Sequence, residues 1–421
     1  MIDDKRSLIV YFEGANVGLL ETTNGIWSFE YHDSWISNKE SFALSPFIEL
    51  SEEKYIDDST NRHVQWFFDN LLPEENARYL LADSAKIDKE DAFGILEYYG
   101  SESAGALPLL NTETQWPDGS IESLSKENLS DRISNLATSP LNNNSQKKMS
   151  LAGAQHKLPI IVKDDHFLEP VGSMPSSHIL KPMHGRPELY WATVCNEWFV
   201  MTLAKNLKLA IPDVKIMYVP QPVYIIRRFD RINEYPDQQR RHAIDACQLL
   251  GINPGAKYRK NDVNALVTLI GKTRTKAKTR LRLFQWVLFN ALIGNNDSHL
   301  KNLSFYSQSS GFALCDHYDL LSTIIFNDEV LGCELSQQIG NAKLYNQLTP
   351  SDLYSFGKTI GLNQSLIEKE ILKLTKNILK EFDALYNHVE SWEVRPSLPG
   401  DLHMLREIKC KVLQPMLEQL N

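Results

Sequence analysis

"IGNNDSHLKN", residues 293–302, closes a long apolar stretch that begins at Leu283 and gathers Asp297, His299, Lys301 and three asparagines into ten positions. Taken alone, the GNND run reads as the cap and turn that end a buried helix, because glycine and asparagine accept the left-handed backbone of a helix terminus. The other polar groups call for a chemical reason, and that reason depends on their surroundings. From about residue 240 to the end, helical spacing of apolar residues dominates. From 149 to 230 the chain is strand-like ("KLPIIVK", "SHILKP", "KIMYV", "PVYIIRRF") and is interrupted by one amphipathic helix, "ELYWATVCNEWFVMTLAKNL".

Further upstream, residues 111–148 are rich in Ser, Asn, Thr and Pro and read as a linker with one short helix carrying Leu129, Ile133 and Leu136. Residues 1–110 read as a small α+β domain. "SLIVYF" is an apolar strand, Asn24-Gly25 marks a tight hairpin, and Ile26, Ser28 and Glu30 alternate with Trp27, Phe29 and Tyr31. "HVQWFFDNLLPEENARYLLADS" and "DKEDAFGILEYYG" then show helical spacing. The expected fold class is α+β: this small domain at 1–110, the linker at 111–148, a strand-rich lobe at 149–230 and a helical lobe at 231–421.

A length of 421 residues suits two or three domains, and 43% hydrophobic with 23% charged residues suits globular ones. No apolar run approaches the ~18 residues of a membrane span, and the five apolar residues near the start do not make a secretory signal, so a cytoplasmic chain with no membrane partner is expected. The five cysteines contain no CxxC pair and indicate neither a disulfide framework nor a zinc site. The net charge of -9 opposes non-specific nucleic-acid binding. The basic run "GKTRTKAKTR" (271–280) reads as a solvated helix start in preference to a DNA contact.

A strand-rich lobe followed by a helical lobe is the layout of protein kinases. Asp297 and Asn302 have the spacing of the kinase catalytic loop, in which the Asp takes the proton of the acceptor hydroxyl and the Asn holds a metal. A second acid for Mg²⁺ should follow, and "FALCDHYDLLST" offers both Asp316 and Asp319. Lys181 ends a strand of the first lobe and Glu197 lies on the next helix, a possible ion pair beside the ATP phosphates. There is no Walker loop and no repeated-glycine loop. "SLAGAQHK" (150–157), with Gly153 between alanines, is the segment able to bring main-chain N–H groups to phosphate.

"MSLAGAQHK", "SHILKP", "NEWF", "RRFDR", "DACQLLG", "GNNDSHLKN" and "HYDLLST", in this order, resemble the HipA family of bacterial serine/threonine kinases, the toxins of HipA/HipB-type toxin–antitoxin modules. "WFFDNLLPE" and "GSESAGAL" resemble the N-terminal domain of that family, so the likeness spans nearly the whole chain. It implies a bilobal kinase core using ATP and Mg²⁺, with Asp297 as the catalytic acid and Asn302 and Asp319 on the metal. ATP would be bound by Ala152, Gly153, Ala154, Gln155, Lys157, Lys181, His299 and Lys301. Arg228, Phe229 and Asp230 would form the hinge, with Asp230 near the ribose. Glu197, His242, Asp245 and Gln248 would support the site, and Ser150 would be autophosphorylated, which shuts the kinase down. The implied partners are a HipB-like helix-turn-helix antitoxin, operator DNA reached mainly through it, and a protein substrate such as an aminoacyl-tRNA synthetase, glutamyl-tRNA synthetase in the best-known case. Two positions depart from the family pattern: Arg227 where Glu is common, and Ile244 where an acid stands. The competing expectation is a catalytically silent, ATP-binding corepressor of a DNA-binding partner.

Overall fold

A computed structural model describes residues 5–142, 145–149, 151–153, 155–393 and 397–420. The first unit is an antiparallel sheet in the order Tyr55–Ile56, Ile26–Tyr31, Ala15–Thr23, Lys5–Phe12, Leu109–Asn111. Asn24 and Gly25 both take positive φ, 51° and 78°, the tight turn whose twist matches its flanking strands. Trp27, Phe29 and Tyr31 face the core while Ile26 stays exposed. Helices His63–Asp69, Glu75–Ala85 and Ala92–Tyr99 complete the unit.

The second sheet runs Val214–Tyr218, Pro222–Arg227, His178–Pro182, Leu158–Lys163, His166–Val171, Ser120–Leu124, again antiparallel throughout. The segment read as a linker therefore supplies an edge strand, and its short helix, Lys126–Ser134, buries Leu129 in a core with Leu124, Phe167 and Leu180. Only Leu124 of "SIESL" is buried, so the strand carries no hydrophobic alternation; main-chain pairing with Phe167–Val171 makes it. Behind the sheet, Thr193–Asn206 is buried along most of its length.

In the helical lobe, Lys276–Ile293 is buried on all sides from Leu283 onward, apart from half-buried Gln285, as suits a central helix. It begins at Lys276, as the reading of the basic run as a helix start has it. Lys272 lies 5.2 Å over the Phe47 ring, and Arg274 donates to Ser310 Oγ at 2.6 Å. Ile244 sits in the strand Ala243–Asp245 opposite Phe305 and is 1% exposed. An apolar residue fits that position better than an acid, which would have to be desolvated there.

Glu102 joins the first unit to the second sheet. Its carboxylate takes Lys147 Nζ at 2.8 Å, Arg231 Nη2 at 2.8 Å, Arg240 Nη2 at 3.1 Å and Arg228 Nη1 at 3.3 Å. Burial alone would raise the Glu102 carboxyl; the surrounding cations outweigh it and hold the group well below the usual range.

Candidate active site

Gly294 caps the central helix with φ 70°, and a Cβ there would collide with Ile324 and Val412. The capping reading is thus true of Gly294, and the residues after it make a rigid loop. Asn295 Nδ2 donates to Asn290 Oδ1 at 2.9 Å, while its Oδ1 accepts from the Asp297 N–H at 3.1 Å. Asn296 and Thr323 exchange hydrogen bonds of 2.7 and 2.8 Å, tying the loop to the segment after Asp319. Asn302 Nδ2 holds the Asp297 carbonyl at 2.9 Å. The asparagines fix the backbone and leave the Asp297 carboxylate, 45% exposed, pointing outward.

Facing it, Lys181 sits opposite Tyr224 in the sheet, which aims its amine at Glu197 Oε1, 2.7 Å away, and at Asp319 Oδ1. Burial would lower the Lys181 ammonium, but the Asp319 and Glu197 charges raise it above its usual range. For Asp319, burial raises the carboxyl and the Lys181 and Lys157 charges more than reverse that, so it stays ionised. Asp319 has φ 59°, a strained backbone for a non-glycine residue at a site of this kind. Asp316 instead is 43% exposed and faces Arg282 at 3.7 Å, so Asp319 is the acid at the cleft.

The expected phosphate loop lies beside this pair. Gly153 has φ 108°, a backbone that strains any residue with a side chain, and a Cβ there would displace the end of Lys157. Ala152 and Gln155 flank it half-buried, whereas Ser150 and Ala154 lie outside the described residues. Burial and the Lys181 charge push the Lys157 ammonium down to about 8, and among the described residues it makes no ion pair. Pro73 pairs with Gly153, and the Glu74 N–H donates to the Gly153 carbonyl at 3.2 Å. The first unit therefore props the loop directly.

Several expected site residues are placed differently. Lys301, expected among the ATP ligands, turns away from Asn302 and reaches Asn70 O at 2.9 Å, Glu74 Oε1 at 3.1 Å and Asp245 Oδ2 at 3.4 Å. Successive residues of its 3₁₀ turn point in different directions, which sends this amine into the domain interface. Asp230, expected near a ribose, is committed to Arg228 at 2.6 Å and Arg231 at 3.0 Å in the buried cluster around Glu102. At the hinge, the Arg228 N–H already donates to Ser177 O at 2.9 Å, and the Phe229 carbonyl accepts from Tyr306 at 3.0 Å. Arg227 stands 37% exposed near Glu234.

His242 stacks on Phe42, 4.6 Å between centroids, and Gln248 donates to Phe67 O at 2.8 Å while forming a capping box with Asp245. His242 and Gln248 thus contact the first unit, and Asp245 caps the helix that carries Gln248. His299 is buried, its Nε2 4.0 Å from Asp297, and burial with the Lys257 charge holds its imidazole down at about 4.

Two residues were missed in the sequence. Tyr258 donates to Asp297 Oδ1 at 2.5 Å. Glu74 is flanked by the amines of Lys257 and Lys301. "AKYRK" and "LLPEEN" look like surface chemistry, and only the proximity of distant segments gives them a role. Burial raises the Glu74 carboxyl, but Lys301 and Lys257 bring it down from 4.5 to about 2. Its contribution to stability is complete above the unfolded value and is lost as pH falls through the folded one. Glu74→Gln is expected to cost about 3 kcal/mol of unfolding free energy above pH ~5, with the gap to wild type closing toward pH ~2. Urea unfolding of both proteins across that range checks this; a gap that does not change with pH would refute it.

Hard oxygen donors at Asn302 and Asp319 suit Mg²⁺, which keeps several waters and leans on phosphate oxygens, so it does not need a cage of protein ligands. Among the described residues no cluster of three His, Cys, Asp or Glu side chains is placed to hold a metal. The unpaired Lys157 ammonium beside Gly153 fits a phosphate. The residues present therefore fit Mg-ATP.

Two lobes around a cleft, a buried Lys–Glu pair and a D-x-x-x-x-N loop opposite a second aspartate define a protein-kinase-like molecule. The HipA-like C-terminal domain matches residues 149–382 and the HipA N-terminal domain matches residues 8–110. The chain belongs to the HipA family and is a kinase. It is 28% identical over 381 residues to the serine/threonine-protein kinase toxin HipA of Shewanella oneidensis, covering 85% of this chain and 84% of that one. It is 29% identical over 383 residues to the protein Y4mE of Sinorhizobium fredii, covering 88% and 89%. The structure of Shewanella oneidensis HipA with HipB and operator DNA shares the fold, with TM-score 0.82, 24% identity and coverage of 98% of this chain and 97% of that one. Among the described residues no helix is long and apolar enough to cross a membrane.

Proposed function

We propose that this kinase transfers the γ-phosphate of Mg-ATP to a serine or threonine hydroxyl of a protein. The observation that carries the reading is the Glu197–Lys181–Asp319 chain, whose Asp319 lies close enough for its charge to act on the Asp297 carboxyl. Bound Mg²⁺, held by Asn302 and Asp319, would neutralise phosphate charge. Lys181, Lys157 and the main chain around Gly153 would position the phosphates, and the Phe229 hinge would take the adenine. Asp297 would accept the proton of the acceptor hydroxyl.

The family further supports a role as the cytoplasmic toxin of a toxin–antitoxin pair. Its partner would be a HipB-like helix-turn-helix antitoxin, which would carry it to operator DNA. Its target would be a translation factor such as glutamyl-tRNA synthetase. Autophosphorylation at Ser150 would switch it off, since ~-2 charge on a loop facing ATP phosphates repels them.

Incubation with Mg-ATP followed by intact mass and peptide mapping tests this reading. One phosphate on Ser150 in wild type and none in Asp297→Asn is expected. ATP binding without any phosphate gain in wild type would overturn the kinase reading in favour of the silent corepressor.

A further inference from the structure

The Tyr258 hydroxyl donates its hydrogen bond to Oδ1 of Asp297, the kind of oxygen to which an acceptor hydroxyl must present its own proton. Its ring packs edge-on to His299, with centroids 4.9 Å apart. Lys257, one residue earlier, is anchored on half-buried Glu74. Tyr258 itself is 48% exposed. The side chain is thus a half-exposed arm on a fixed mount, with Lys257 Nζ 5.0 Å from its ring centroid and the remaining surface open to solvent.

We infer that Tyr258 is a displaceable cap on the catalytic carboxylate: its hydroxyl stands where the acceptor hydroxyl will stand, aligns Asp297 in the resting enzyme, and leaves when a serine- or threonine-bearing segment enters. It is a positioning residue, and the inference rests on the kinase reading above. The charged and titratable groups facing it are Asp297, His299, Lys257, Glu75 and Glu74. Burial and the Asp297 charge raise the Tyr258 phenol above its usual range. The same bond lowers the Asp297 carboxyl, against burial, which raises it.

Two measurements test the cap. In protein labelled with 3-fluorotyrosine, with the Tyr258 fluorine signal assigned by its loss in Tyr258→Phe, that phenol should ionise at higher pH than the exposed tyrosines. Asp297→Asn should narrow the difference, leaving the part due to burial. A Tyr258 signal that titrates with the exposed tyrosines, unmoved by Asp297→Asn, would overturn the proposal and leave the kinase reading intact. In steady-state hydrolysis of Mg-ATP, with water as acceptor, Tyr258→Phe should raise kcat roughly tenfold by freeing one charge-assisted hydrogen bond. It should leave the KM for ATP unchanged. A uniform fall at every pH would make Tyr258 a fixed support and overturn the cap alone. No hydrolysis by either protein, with Mg-ATP bound, would overturn the kinase reading and the cap together.

Discussion

Asp297→Asn is expected to slow phosphoryl transfer by about 10²–10⁴-fold, the range a positioned general base supplies, while Mg-ATP binds as before. The asparagine keeps the shape of the loop, because Asn295, His299 and Asn302 hold the main chain at residue 297 and not its side chain. What is lost is the proton acceptor. In wild type, burial and the Asp319 charge raise the Asp297 carboxyl to about 6, against the lowering effect of the Tyr258 bond. The ionised form, the one able to take a proton, is therefore present above about pH 6, and the rate should climb between pH ~5 and ~7. Phosphate incorporation into protein with time, together with calorimetric titration of nucleotide, checks both halves. Loss of nucleotide binding in the variant would mean that the loop had collapsed. A rate that stays flat from pH 5 to 7 would remove Asp297 from the proton transfer.

Glu102→Gln should be the most destabilising single change at the junction of the first unit and the core. The native cluster sets four cations, Lys147, Arg228, Arg231 and Arg240, around the two carboxylates of Glu102 and Asp230, and its members are almost fully buried. Removing one carboxylate keeps the volume and strips four cations of their shared partner. Breaking a buried pair in this way costs ~3–5 kcal/mol, because the remaining charge stays out of water without compensation. Urea unfolding at neutral pH reads the loss, and Glu169→Gln offers a comparison, since its principal partner is the single Arg132. An unchanged midpoint for Glu102→Gln would show that water reaches the cluster and screens it. A secondary effect follows from geometry. Glu102 pairs with Met149 at the start of the expected phosphate loop, so weakening the cluster should also raise the KM for ATP.

Glu102, Glu74 and Tyr258 illustrate what kind of information was missing from the sequence. "GSESAGAL" marked a family likeness, but the Glu102 charge finds its partners 45 to 138 positions away. Lys301 and Asp230 sat in the right motifs and were assigned to nucleotide. Their direction is set by the local turn and by neighbours from other segments, which no spacing rule contains. His242 and Gln248, expected as support, touch Phe42 and Phe67 of the first unit, and Asp245 faces Lys301, contacts between segments that no local pattern contains. The edge strand Ser120–Leu124 escaped notice for a related reason: its side chains are mostly exposed, and its strand character comes from hydrogen bonds to a partner about fifty residues later.

By itself the sequence determined the periodic and the local. The hairpin at Asn24-Gly25, the buried central helix, its Gly294 cap, the five-residue interval from Asp297 to Asn302 and the lobe order all follow from side-chain pattern and backbone freedom, which act over a few residues. Spacing left Asp316 and Asp319 open and the family likeness pointed to Asp319; the tertiary structure alone decided which lysines remain free for an anion, what charge surrounds Asp297 and what caps it. Those outcomes depend on distance and burial between remote segments. Coulomb energy and desolvation act through space, and space is assigned only when the chain has folded.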